Sequence, residues 1–173
     1  MENYSVYNNE ERKYADYFVK ETLKKRYLLD TSVITKWYYK KDEEDLHNAS
    51  ILYNNLRSEH YILFAPELLI YELLNIYRTK LELDDAKINK IITELFDSIV
   101  ILGINKNTFS KAFITARSFN ISYYDSIYLS LSEDLDAPLV TADKKLYLAV
   151  KDIKHNVIML SDFLKLSQEP KNY

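Results

Sequence analysis

Cysteine is absent from the 173 residues, which excludes disulfides, a thiol nucleophile and any zinc site built on cysteine. Glycine occurs once, at Gly103. The phosphate loop of nucleotide hydrolases, the dinucleotide fingerprint and the G-x-S-x-G elbow each need two or more close glycines, so all three are excluded. The histidines, His47, His60 and His155, stand too far apart for an H-E-x-x-H helix, and nothing supports a histidine triad. A basic excess is also missing: 23 Lys and Arg face 26 Asp and Glu, for a net charge of -3. A nucleic-acid binder that works through bulk charge is basic, so any such binding here must rest on local patches. Apolar runs such as Leu68–Tyr71 are far too short to span a membrane. The first 26 residues contain no apolar core of the signal-peptide kind, and a cytoplasmic protein is expected. What remains for chemistry is oxygen: carboxylates, hydroxyls and a metal they hold.

With 47% hydrophobic and 28% charged residues, the chain reads as one globular domain with a sizeable core. Residues 1–26 are polar, and Tyr14, Tyr17, Phe18 and Thr22 lie near helical spacing, so an appended helix over 9–26 is expected. The domain proper is placed at 27–166, followed by a tail over 167–173. Neither repeats nor a Pro/Gly/Ser-rich linker divide it. A first strand, Tyr27–Leu29, ends in Asp30, and a helix follows from Ser32. Another helix covers Leu46–Arg57. A strand over Tyr61–Ala65 stops at Pro66, which suits the first turn of a helix running to about Lys80. Asp84 reads as an N-cap before a stripe of Ile88, Ile91, Ile92, Leu95, Phe96 and Ile99. A strand over Ile99–Ile104 precedes a helix marked by Phe109, Ala112, Phe113 and Ala116, closing near Asn120. Ser122-x-x-Asp125 resembles a capping box ahead of the helix carrying Ile127, Tyr128 and Leu131. Strands at Pro138–Thr141 and Val157–Leu160 and helices from Asp143 and Ser161 complete the chain. This alternation predicts an α/β domain, a parallel sheet covered by helices on both faces. In open sheets of this kind the site lies beyond the carboxyl ends of the strands. Asp30 and Asp143 occupy such ends.

Four acids stand out by context: Asp30, Glu72, Asp125 and Asp143. Helix capping alone accounts for Asp125 and Asp143, and it also suits Asp30 ahead of Thr31 and Ser32. Glu72 resists that explanation. Its helical neighbours at three and four residues, Leu68, Leu69, Asn75 and Ile76, include no base, so a compensating cation must come from elsewhere. That cation is either a Lys or Arg in a salt bridge or a metal. Carboxylates gathered at one sheet edge repel each other unless divalent cations sit among them, and oxygen-only ligands select Mg²⁺ or Mn²⁺. Such a site suits metal-assisted hydrolysis of a phosphodiester.

Four segments carry a resemblance. Tyr27-Leu28-Leu29-Asp30-Thr31-Ser32-Val33 is similar to the opening strand of PIN-domain ribonucleases, and Pro66-Glu67-Leu68 through Glu72-Leu73-Leu74-Asn75 resembles their second motif. Tyr124-Asp125-Ser126-Ile127-Tyr128-Leu129 looks like the third, and Leu139-Val140-Thr141-Ala142-Asp143-Lys144-Lys145-Leu146 like the fourth. Order, spacing and context fit from about residue 27 to about 166, and by length and layout the chain resembles VapC-type toxins of toxin–antitoxin pairs. The resemblance implies a Rossmann-like α/β/α fold, Mg²⁺- or Mn²⁺-dependent endoribonuclease activity, a small antitoxin partner and a homodimer. It makes Asp30, Glu72, Asp125 and Asp143 the metal-site acids, with Thr141 a supporting hydroxyl. The N-terminal 26 residues depart from compact toxins, which start almost at the first strand.

RNA would meet this acidic site through nearby bases. Lys144 and Lys145, beside Asp143, suit that role better than Lys36, Lys40 and Lys41, which read as a solvated helix face. Of the 16 tyrosines, Tyr38 and Tyr39 are placed to stack on bases, while Trp37 reads as a packing anchor. Two rival readings stand beside the nuclease. One is a PIN-like binding or assembly module without activity. The other is a phosphatase-like hydrolase with an aspartyl nucleophile, but Asp30-Thr31-Ser32 lacks the second Asp of an Asp-x-Asp pair.

Overall fold

The structure, a computed structural model, describes residues 24–40, 44–55, 61–80, 84–152, 156–163 and 165. Five strands, β1 (Lys25–Leu29), β2 (Tyr61–Pro66), β3 (Val100–Leu102), β4 (Leu139–Thr141) and β5 (Val157–Met159), form one sheet in the order β3-β2-β1-β4-β5. Every pairing is parallel. Seven helices are described: α1 (Thr31–Tyr38), α2 (Leu46–Asn54), α3 (Leu68–Lys80), α4 (Asp85–Ser98), α5 (Lys106–Phe119), α6 (Tyr123–Asp134) and α7 (Lys144–Val150).

The two-residue period of a strand divides the core into two. Tyr27 and Leu29 join Leu63, Ala65 and Val140 in one cluster, covered by apolar residues of α1 to α4. Leu28 and Leu139 point the other way, into a cluster with residues of α5, α6 and α7. Strands buried on both faces read as continuous apolar runs, and this is the expected three-layer α/β/α arrangement. Among the described residues no helix is long and apolar enough to cross a membrane.

Most element boundaries match expectation, and the departures have local causes. The first strand begins at Lys25, because Lys25 and Arg26 pair with Tyr61 and Ile62; these two residues do not belong to an N-terminal helix. The rest of that expected helix, the end of the second helix at Leu56 and Arg57, and the 167–173 tail lie outside the described residues. After β5 the chain enters a 3-10 turn, Leu160–Asp162, one residue before Ser161. Phe96 leaves the expected stripe: Ile91 and Leu95 are buried, while Phe96, a further 100° around the helix, is exposed. On α5 the buried stripe consists of Thr108, Ala112 and Thr115, and Phe109 and Phe113 face outward. Asp84 caps α4 as expected, accepting from the Lys87 backbone N–H at 2.8 Å.

From β1 the chain steps through β2 to the β3 edge, then returns to place β4 and β5 on the other side of β1. The strand order therefore reverses between β1 and β4, where open α/β sheets bind ligands at the carboxyl ends. Asp30 leaves β1 at that point, and Asp143 follows β4 two residues beyond Thr141.

Candidate active site

Asp30 stands at the N-cap position of α1, yet its side chain makes no capping bond. Its Oδ2 instead accepts from Ser32 Oγ at 2.7 Å and from Thr141 Oγ1 at 2.6 Å. The residue is buried, and burial pushes its carboxyl from the ordinary 3.8 up to about 6. The two hydroxyls pull the other way, and the negative charges of Glu72 and Asp125 add to the rise. Capping does not explain Asp30.

Glu72 is half-buried on α3, and its Oε2 accepts from Thr31 Oγ1 at 2.7 Å and from Tyr128 OH at 2.8 Å. No salt bridge appears among the described contacts of Glu72; two hydroxyls take its place. Asp125 sits in the first turn of α6, where its backbone N–H donates to Ser122 Oγ at 3.0 Å, and Ser122 caps the helix as expected. Burial raises the Asp125 carboxyl above the ordinary value, and the charge of Asp143 adds to that, while Ser122 and Lys145 oppose it. Asp143 caps α7: its Oδ1 accepts from the backbone N–H groups of Lys145 at 2.7 Å and Leu146 at 3.0 Å.

The four acids thus share one neighbourhood. Asp30 feels Glu72 and Asp125, and Asp125 feels Asp143. Thr141 links two of them, donating to Asp30 and accepting from the Asp143 backbone N–H at 3.0 Å. Ser32 Oγ also accepts from the Ala142 N–H at 2.9 Å, so the start of α1 is stitched to the end of β4. Among the described residues no three His, Asp or Glu side chains are grouped closely enough to hold an ion as they stand. The donor chemistry nonetheless fits a hard divalent ion: every group is oxygen, and the acids repel one another across the gap. A cavity of about 480 Å³ lies apart from them at the β3 edge, lined by Glu67, Phe96 and Asp97 among others.

The two lysines differ. Lys145 is close enough to Asp125 to lower its pKa. Lys144 pairs with Glu44 Oε2 at 2.8 Å, an exposed contact ahead of α2. Tyr38 is not free to stack on a base: its hydroxyl donates to Glu94 at 3.3 Å and its ring packs edge-on against Trp37, Tyr53 and Tyr77. Trp37 is an anchor, donating from its indole to the Ala49 carbonyl at 2.9 Å. Tyr124, exposed beside Asp125, was not singled out from the sequence. Nor were the roles of Thr31, Ser32 and Tyr128 as acid-holding hydroxyls. For Thr31 and Ser32 the signal is adjacency to Asp30; for Tyr128 it is a hydroxyl in a stripe that otherwise asks only for apolar bulk.

The PIN domain family model matches residues 27–152. The chain belongs to the PIN domain family. PIN domains are typically nucleases and generally use divalent metal ions. No curated protein matches the chain. Solved structures do. PAE2754 from Pyrobaculum aerophilum superposes with a TM-score of 0.60 at 19% identity, over 84% of this chain and 97% of that one. A toxin–antitoxin complex from Klebsiella pneumoniae gives 0.58 at 10% identity, over 78% and 97%. VapC20 of Mycobacterium tuberculosis, a toxin that cleaves the sarcin–ricin loop, gives 0.56 at 12% identity, over 71% and 94%. At these identities the likeness is one of fold. The resemblance carried by the four sequence motifs is borne out, and this PIN domain brings their four acids together.

Proposed function

We propose that this PIN domain is a metal-dependent endoribonuclease and the toxin of a toxin–antitoxin pair. The convergence of Asp30, Glu72, Asp125 and Asp143 at the switch point of the sheet carries the reading. These acids would hold Mg²⁺ or Mn²⁺. Such an ion supplies a lowered pKa to a bound water and neutralises charge on the departing oxygen of a phosphodiester. The chain's own part is to orient the oxygens. Ser32 and Thr141 turn Asp30, the cap of α7 turns Asp143, and the first turn of α6 presents Asp125. Lys145, beside Asp125, offers a cation to an RNA phosphate, and Tyr124 offers an exposed ring to an unpaired base. Lys144 serves as a weaker substrate contact because Glu44 competes for it.

Two structural neighbours, a toxin–antitoxin complex and a toxin that cleaves the sarcin–ricin loop, support the toxin role and a small antitoxin partner. Phe109, Phe113 and Ile114, exposed on α5, supply an apolar face suited to a homodimer. Among the described residues no three carboxylates are already closed on one point, which favours the other reading, a silent RNA-binding or assembly module.

Incubation of the purified chain with labelled RNA separates the two. Cleavage in Mn²⁺ or Mg²⁺ that EDTA abolishes is the expected result; no cleavage and no binding of millimolar metal would support the module. Lys145→Ala is expected to weaken RNA binding and to reduce the slope of log affinity against log salt by about 0.7, the value for one phosphate on a single strand. Lys144→Ala should change both by less. Equal losses from the two variants would contradict the distinction between them.

A further inference from the structure

Tyr128 lies in the middle of α6 with its ring in the core cluster that holds Leu28, Ile127 and Leu139, and only 1% of it is exposed. Phenylalanine would supply the same apolar bulk there. A buried phenol hydroxyl costs free energy unless it is bonded, so its presence at this depth requires partners. The hydroxyl donates its one proton to Glu72 Oε2 at 2.8 Å; Thr31 Oγ1, 2.7 Å from that hydroxyl, donates its own proton to the same oxygen at 2.7 Å. The three residues come from α6, α1 and α3, far apart in sequence, and meet at one carboxylate oxygen.

Both described hydrogen bonds to Glu72 fall on Oε2, and none of those described reaches Oε1. Two donors fill the lone-pair directions of one oxygen and fix the plane of the carboxylate, leaving the second oxygen, which has no partner among the described bonds, to accept a cation. Asp30 repeats the pattern, with Ser32 and Thr141 both on Oδ2. Resting on the metal-dependent reading above, we infer that Tyr128 is a positioning residue: with Thr31 it saturates Glu72 Oε2, so that the acid offers Oε1 alone to a divalent ion. A tyrosine that only filled the core would have no reason to end on that oxygen. One that only satisfied its own hydroxyl would leave metal affinity untouched when the hydroxyl is removed.

The test is Mn²⁺ affinity of the full chain, measured by calorimetry on wild type, Tyr128→Phe, Thr31→Val and Thr31→Ser, each checked by thermal melting in metal-free buffer. Partners one shell out from a metal typically carry 10- to 100-fold in affinity, and about tenfold weaker Mn²⁺ binding is expected for Tyr128→Phe and for Thr31→Val. Thr31→Ser, which keeps the hydroxyl, should bind nearly as wild type does. In RNA cleavage by Tyr128→Phe, the loss should disappear at saturating Mn²⁺, with a raised metal requirement and an unchanged limiting rate. A folded Tyr128→Phe protein with the wild-type Mn²⁺ dissociation constant would overturn the inference while leaving the nuclease reading in place. Wild-type protein that binds no Mn²⁺ would overturn that reading and the role of Tyr128 with it.

Discussion

Asp30→Asn is expected to raise the melting temperature of the metal-free protein at pH 7.5 and to abolish cleavage. The carboxyl is buried and pushed from the ordinary 3.8 to about 6, so at neutral pH the folded state holds a charge that the unfolded chain carries more easily. The sign follows from proton counts. Between about pH 4 and 6 the folded protein binds more protons at this group than the unfolded chain does, so stability falls as pH rises through that window. Above it the full penalty applies, about 3 kcal/mol. An amide removes the charge and still accepts from Ser32 and Thr141, though more weakly, which offsets about 1 kcal/mol. A net gain of about 2 kcal/mol corresponds to roughly 4–8 °C in a domain of this size. The gain should vanish near pH 4, where the wild-type carboxyl is protonated in the folded state. Added Mn²⁺ should reverse the order, because ligand binding stabilises only a protein that binds it. A variant that melts below wild type at pH 7.5 without metal would mean that Asp30 is held by favourable contacts alone.

Substitution at Asp143 separates two roles that coincide in one side chain. Its Oδ1 caps α7 through the Lys145 and Leu146 N–H groups, and that contact alone is a sufficient reason for an acid at this place. Asparagine caps about as well, so Asp143→Asn should melt close to wild type, whereas Asp143→Ala should lose about 1 kcal/mol. Cleavage should fall in both, by at least about a hundredfold, since a lost metal ligand forfeits several kcal/mol of transition-state stabilisation. Gel assays of RNA cleavage beside melting curves read both quantities. If Asp143→Asn cleaves normally and only Asp143→Ala is impaired, the residue is a cap and nothing more.

The sheet was legible because its strands are buried on both faces: Tyr27-Leu28-Leu29 and Leu139-Val140-Thr141 read as apolar runs whichever way each side chain points. Asp30, Asp125 and Asp143 were legible from their places at strand ends and helix starts, and Glu72 from a helix face that carries no base. What holds them was legible only at Thr141, the supporting hydroxyl that the resemblance implies and that donates to Asp30. Asp30 looked like a cap and is not one, because Ser32 and Thr141, 109 residues apart, claim its oxygen first. Glu72 looked in need of a cation and found hydroxyls, one on a tyrosine that periodicity assigns to the core. Hydroxyl partners of this kind depend on tertiary contact between α1, α3, α6 and β4, and spacing along the chain does not say which hydroxyl meets which acid. Phe96, Phe109 and Phe113 show the opposite failure: a stripe of apolar letters was wider than the face that the sheet covers.

An anomalous difference map from crystals soaked in Mn²⁺ tests the central claim most directly. The account predicts a peak bounded by the carboxylates of Asp30, Glu72, Asp125 and Asp143, present in wild type and absent in Asp30→Asn. Ordered crystals with no peak there at millimolar Mn²⁺, or with the ion bound only elsewhere, would contradict it.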